Sequence, residues 1–442
     1  MIDDADLRTC LGVLAQARQL PTDDPVRQRL LRAVDGLVKD HKKQRSRERH
    51  RETQAADRAL LAATSLGATD RTEDVTVEAE GSAGTLKRQK HCYICKQPYV
   101  ELDAFYQWLC PECARDNRAR RDARADLPGR RALITGGRVK IGFQVARMLL
   151  RDGAEVIVTT RFPVDAARRF AAEPDVPLDR LRIVGVDLRD PRQVLGLAEK
   201  LQGPLDILIN NAAQTVKRPS WSYRQLLAAE SEPLRVPVAI DAAPGFIPAL
   251  PEPDWTRALT TATEMAEVLA PVDASGLVPD PSAVNSWTAR VGSVDAAEML
   301  EVQLINAVAP FLLVDGLLPR LRLSSFPRRY IVNVSAVEGW FTARFKSGGH
   351  PHTNMAKAAL NMLTRTSATE LAAEGIYLTS VDTGWITDEN PAPAKATIAD
   401  TGWRPPLDVR DGAARIYDPI VRGEAGDPPS GVFLKDYREV PW

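Results

Sequence analysis

The chain lacks what a membrane protein, a polyelectrolyte or a secreted scaffold would need. No uninterrupted apolar run approaches the length of a bilayer span. Formal charge balances, 58 basic against 58 acidic side chains, so no global attraction to nucleic acid or membrane follows. The first residues, MIDDADLRTC, have neither the basic start nor the apolar core of a secretory signal. Cysteine is scarce, five in 442 residues, which argues against a disulfide framework. A cytoplasmic protein that enters no membrane is expected. The length leaves room for two or three domains and a substantial core.

What is there divides the chain. Residues 1–64 form a helical segment: Leu7, Leu11 and Leu14, then Leu30, Leu31, Val34, Leu37 and Val38, recur at helical spacing, with Pro21 and Pro25 as breaks. The run HKKQRSRERHR at 41–51 is basic and reads as a solvated helix face. Residues 65–86 are small and polar and read as a linker. A cysteine module occupies 87–122, and strands and helices alternate over 128–442. That last part has a proline- and tryptophan-rich interruption at 214–295, holding Trp221, Trp255 and Trp287. It reads as an insertion over the domain and not as a βαβ unit, and such insertions are often lids or binding loops.

Cys92, Cys95, Cys110 and Cys113 give two C-x2-C pairs separated by fourteen residues. Each pair is a knuckle that can place two thiolates on one tetrahedral ion. Tyr99, Phe105, Tyr106, Trp108 and Leu109 between them supply a small core. Four thiolates predict a closed, structural zinc site. The module is expected to lie outside the sheet domain, and dinucleotide binding to survive its loss. Basic flanks interleaved with acids disfavour nucleic acid and leave protein docking through 1–122 as the role for this region.

Residues 131–142, RALITGGRVKIG, read as a strand, a glycine turn and a helix N-terminus. Backbone N–H groups and the helix dipole there favour a pyrophosphate. Further strands end in Arg161, in Asp187-Leu188, in Asn210-Asn211-Ala212 and in Ser335, and Lys357 opens KAALNMLTRT. An acid at the end of the second strand commonly binds the ribose of NAD. Arg161 stands there instead, with Arg138 in the turn, and two guanidinium groups suit a 2′-phosphate. NADP(H) is therefore expected over NAD(H).

In these motifs and their order, residues 130–442 resemble the short-chain dehydrogenase/reductase family, the insertion excepted. The resemblance implies a doubly wound parallel α/β sheet of Rossmann type, here with an N-terminal helical segment and a small zinc module. It implies a cofactor site formed by Thr135, Gly136, Arg138, Ile141, Gly142, Arg161, Asp187, Leu188, Asn211, Ala212, Lys357 and Thr383. Lys140 stands where the family's turn has its middle glycine. The resemblance also implies that Asp187 meets the adenine, that Asn306 supports a proton relay by ordering a water, and that Lys357 holds the nicotinamide ribose. A small-molecule substrate and a homo-oligomer are expected.

The family pairs its lysine with a tyrosine four residues earlier and with a serine on the fifth strand. Here Thr353 and Ala336 occupy those positions, and Ser335 is expected to face the other side of its strand. A threonine hydroxyl is too weakly acidic to replace the phenol. His350 and His352 precede Lys357, and either could relay a proton. Glu338, Arg344 and Lys346 follow the fifth strand on the side where such sheets bind ligands. Two readings follow. One is an NADP(H)-dependent oxidoreductase with an unusual site built on Lys357, Asn306, His352, His350 and Thr353. The other is an inactive NADP(H)-binding sensor or scaffold that uses its N-terminal segments to hold a partner.

Overall fold

The apolar run Ala132–Ile134 lies at the centre of the molecule. Alternation along it sends Ala132 and Ile134 into one hydrophobic layer and Leu133 into the other, so this strand is buried on both faces. In this computed structural model, residues 3–73, 75–248, 272–343 and 346–442 are described. Trp255 and Arg344 lie outside the described residues.

A two-stranded ribbon, β1 (Ser82–His91) and β2 (Pro98–Asp103), precedes the main sheet. The main sheet is built from β3 (Arg131–Thr135), β4 (Glu155–Thr160), β5 (Leu181–Gly185), β6 (Ile207–Asn210), β7 (Ala239–Ala242), β8 (Arg329–Ser335), β9 (Ile376–Asp382), β10 (Phe433–Lys435) and β11 (Arg438–Val440). Its order is β11-β10-β9-β8-β6-β3-β4-β5-β7. Neighbours pair in parallel, except that β11 runs antiparallel to β10. Helices Lys140–Arg151, Pro163–Ala171 and Val409–Glu424 pack on one face. Helices Pro191–Lys200, Ala309–Arg322 and Pro351–Ala373 cover the other. This is the expected doubly wound sheet. Strand order reverses between β3 and β6, which opens a crevice at the carboxyl ends of the strands.

Three expectations need correction. The interruption at 214–295 is partly sheet: Ala239–Ala242 pairs with β5 as an edge strand. Two of its four residues are exposed, so a short edge strand lacks the apolar run that betrays a buried one. Residues 65–86 are not a free linker. Leu66 is fully buried, Arg71 donates to the carbonyls of Leu66, Pro405 and Leu407, and β1 already starts at Ser82. Polar side chains dock this segment, a device that apolar periodicity does not register. Finally, the continuous helical stretch Ala296–Arg322 is long and apolar enough to cross a membrane by length and composition. Gln303, Asn306 and Asp315 interrupt its apolar run in sequence. Leu313, Leu317 and Leu321 are fully buried against the sheet, as in a core helix.

The cysteine module packs directly on the sheet domain. Leu86, Tyr99, Leu102, Phe105, Tyr106 and Leu109 share one core with Ile386, Leu407 and Val409. Its helix, Pro111–Arg121, carries Arg121, whose guanidinium lies 2.5 Å from Asp408 and 3.2 Å from Asp411. Tyr106 donates to Asp411 at 2.6 Å, and Arg415 bridges Asn117 and Asp436, each at 3.0 Å. All these groups but Asp436 are buried, and removing one partner of a buried ion pair costs about 3–5 kcal/mol. The module therefore contacts the sheet domain directly, and Arg121 from its basic flank makes part of that contact.

The N-terminal helices, Asp4–Ala17 and Pro25–Ala62, begin at Asp3 and Asp24, whose carboxylates cap the free N–H groups. The basic run at 41–51 is exposed throughout, as a solvated face requires.

Candidate active site

A cavity of about 800 Å³ opens at the carboxyl ends of the strands. It begins at the glycine turn. Gly136 has φ +68°, and a Cβ on Gly142 would lie 2.4 Å from the Gly136 carbonyl and 2.5 Å from Asn211 Nδ2. Only glycine allows that approach. Lys140 takes the left-handed conformation too, with φ +57°, one that glycine adopts without strain. Thr135 does not line the cavity among the described residues; its hydroxyl accepts from the N–H groups of Asn211 and Ala212, each at 3.0 Å. Asn211 donates to the carbonyls of Thr135 and Gly136 at 2.8 and 3.2 Å. Gly136, Arg138, Ile141, Gly142, Asn211 and Ala212 all border the cavity.

One end of the cavity lies beyond β4 and β5. Arg161 rests on the rings of Tyr223 and Phe162, at 5.1 and 5.6 Å, and contacts the Tyr223 hydroxyl at 3.4 Å. Asp187 and Leu188 line the same end. Burial pushes the Asp187 carboxyl up, but hydrogen bonds and charge from Arg189 outweigh it and hold the group below its ordinary range. Arg138 is corrected. Its buried guanidinium pairs with Asp165 at 2.6 Å and donates to Ser275 O at 2.9 Å, so its charge is already engaged. Ser275 and Leu277, from the interruption, help wall this end.

The other end lies beyond β8 and β9. Lys357, Thr353, Ser335, Glu338 and Thr383 line it together. The Lys357 ammonium donates to Val334 O at 2.7 Å; burial pushes it down to about 8, against the charge of Glu338. The hydroxyls of Ser335 and Thr353 are buried with no hydrogen-bond partner among the described residues. Ser335 therefore serves the cavity despite its position in the strand. Burial pushes the Glu338 carboxyl up, and Asp382 adds to the shift; its own N–H, His350 and Lys346 oppose it. Asp382 accepts from Gly384 N–H at 2.6 Å and pairs with Lys435 at 3.0 Å.

Three expected residues do not face the cavity among the described residues. His352 is buried with Nε2 3.1 Å from Glu298, a helix-to-helix contact inside the core. His350 has φ +40°, stacks on Trp287 with ring centroids 3.8 Å apart, and lies behind Glu338 at 4.0 Å. Asn306 sits in a π-helical turn, Leu304–Val308, and clamps the Gln214 backbone through both amide atoms, at 2.8 and 3.1 Å. Its amide orders the chain beside β6 directly.

Two contributors were not legible. Glu389, which lines the cavity, is pushed up by burial but held below its ordinary range by Lys140, Thr387, Lys395 and Arg218. Tyr93, inside the first cysteine knuckle, reaches the cavity from the other domain. An aromatic residue lodged between two closely spaced cysteines was the available signal.

The four thiols lie within 4.8 Å of one another, with Cys95 and Cys110 3.7 Å apart. Tetrahedral zinc with Zn–S bonds of about 2.3 Å needs sulfurs about 3.8 Å apart. The cluster fits such an ion.

The family model described as short chain dehydrogenase matches residues 130–226. An uncharacterized protein of Acanthamoeba polyphaga mimivirus is 32% identical over 351 residues, covering 74% of this chain and 71% of that protein. The C-signal protein of Myxococcus xanthus is 32% identical over 174 residues, covering 39% of this chain and 93% of that protein. Among solved structures, a short chain dehydrogenase from Burkholderia cenocepacia in complex with NADP is 20% identical, with TM-score 0.45, over 70% of this chain and 96% of that one.

Proposed function

Because residues 130–226 match the short chain dehydrogenase family model, we propose that the chain is an NADP(H)-dependent oxidoreductase of that family acting on a small carbonyl or alcohol. One observation carries the reading. A single cavity joins the glycine turn to Lys357, and two buried hydroxyls beside Lys357 have no protein partner among the described residues. Unpaired buried donors are costly, so they suit a ligand that satisfies them.

Gly136, Gly142 and the helix N-terminus at Lys140 would hold a pyrophosphate, and Arg161 a 2′-phosphate. When bound, nicotinamide gives or takes a hydride. The chain's own residues would do the rest. Lys357 would hold the ribose hydroxyls, while Ser335 and Thr353 would orient a substrate oxygen. Glu338 takes the proton role that the histidines were expected to play. It faces the cavity, and burial favours its protonated form. A proton given to the substrate oxygen would return through His350, which Trp287 holds behind it. The four-cysteine cluster would bind one structural zinc.

The test is NADPH consumption against a panel of carbonyl compounds. Lys357→Met should abolish turnover, and Glu338→Gln should lower it by roughly 10²–10⁴. His352→Ala should have little effect on the chemical step. If NADPH binds, no compound turns over, and Lys357→Met changes only affinity, the sensor reading replaces this one. The missing tyrosine, with Thr353 in its place, is the observation on that side.

A further inference from the structure

Tyr93 is, among the described residues, the only member of the cysteine module that lines the cavity. Its position is set by the knuckle. Tyr93 N–H donates to Trp108 O at 2.7 Å, Cys92 N–H to Gln97 O at 2.9 Å, and Lys96 N–H to Cys92 O at 3.1 Å. Lys96 turns the loop through a left-handed conformation, φ +63°. The loop is thus anchored at Cys92 and Cys95, two of the four clustered thiols.

The phenol oxygen accepts from Trp385 N–H at 3.1 Å, and its own hydrogen has no acceptor among the described residues. One free donor therefore remains in the cavity wall. Around it stand Gly384 and Lys435, the latter 6.0 Å from the ring centroid. These residues follow β9 and end β10, on the opposite side of the crevice from Arg161. A dinucleotide with its pyrophosphate on the glycine turn extends one half toward each end. Arg161 suits the phosphorylated adenosine half, which leaves Tyr93 to the other.

We propose that Tyr93 is a binding residue for the nicotinamide half of the cofactor, and that occupancy of the four-thiol site controls dinucleotide affinity through it. The proposal rests on reading the cavity as an NADP(H) site. A metal ties the knuckle to Cys110 and Cys113. Without it the loop loses that restraint, and Tyr93 loses the contact that closes this end.

The test titrates the zinc-loaded full chain with two probes, NADPH and 2′,5′-ADP, which lacks the nicotinamide half. Tyr93→Ala should weaken NADPH about tenfold and Tyr93→Phe by less, as expected for one hydrogen bond and its packing. Affinity for 2′,5′-ADP should stay within about twofold. Chelator-stripped protein, verified by metal analysis, should show the same split, and added zinc should reverse it. If NADPH affinity is unchanged in both Tyr93→Ala and the stripped protein while 2′,5′-ADP still binds, the proposal is overturned. If the unmodified protein binds neither probe, the cofactor reading itself fails and takes this inference with it.

Discussion

In the proposed reaction, Lys357 concentrates much of the chemistry in one side chain. It lies on the helix Pro351–Ala373 with its ammonium turned onto the end of β8, where burial disfavours the charge. Its folded value of about 8 against an ordinary 10.5 has two consequences. The unfolded chain holds this proton more tightly, so the group's contribution to stability is complete above pH 10.5 and is lost as the pH falls to about 8. In the folded protein the ammonium that would meet the cofactor is lost above about pH 8. NADPH affinity should therefore decline above that pH in the unmodified protein. A pH titration of binding should show no such step in Lys357→Met. An identical step in both proteins would place the titrating group elsewhere. Lys357 stood out because it opens KAALNMLTRT at the family's lysine position, although the tyrosine four residues earlier is replaced by Thr353. Glu338 was visible as a loop acid, but its burial depends on β9 and on His350, which no local pattern announces.

At the level of elements, strands and helices of the sheet domain were readable from alternating apolar runs and glycine turns. The edge strand β7 and the packed segment 65–86 were not, because neither buries a periodic apolar face. The cysteine module was recognisable from its spacing, but its docking was hidden. Arg121 and Asn117 look like surface residues in sequence and Tyr106 like part of the module's own small core, and they become partners of Asp408, Arg415 and Asp411 only when these are brought up from about three hundred residues away. The four thiols lie within 4.8 Å of one another, close enough to share one ion, so purified protein should carry about one zinc per chain. Metal analysis of a Cys92→Ser/Cys95→Ser variant should show it lost. Stoichiometric zinc retained by that variant would mean the ion is held elsewhere.

On the scale of the whole molecule, two domains meet at one cavity. The sheet supplies the glycine turn, Lys357 and Glu338; the interruption supplies Ser275 and Trp287; the cysteine module supplies Tyr93. The order of strands positions these parts, since the crevice opens where the strand order reverses between β3 and β6. Sequence motifs picked out most residues that line the glycine-turn end of this cavity, because glycine turns and strand ends are local. They picked out fewer of those that line the Lys357 end, because its walls come from segments far apart in the chain. The central claim is that this cavity binds NADP(H) in preference to NAD(H), and Arg161 is the residue on which that preference turns. Calorimetric titration of the unmodified protein and of Arg161→Ala with NADPH and NADH tests it most directly. NADPH should bind the unmodified protein more tightly, and Arg161→Ala should remove most of the difference, a loss of about 1.5–3 kcal/mol for one charge-assisted contact. Equal affinity of the unmodified protein for the two dinucleotides would contradict the account.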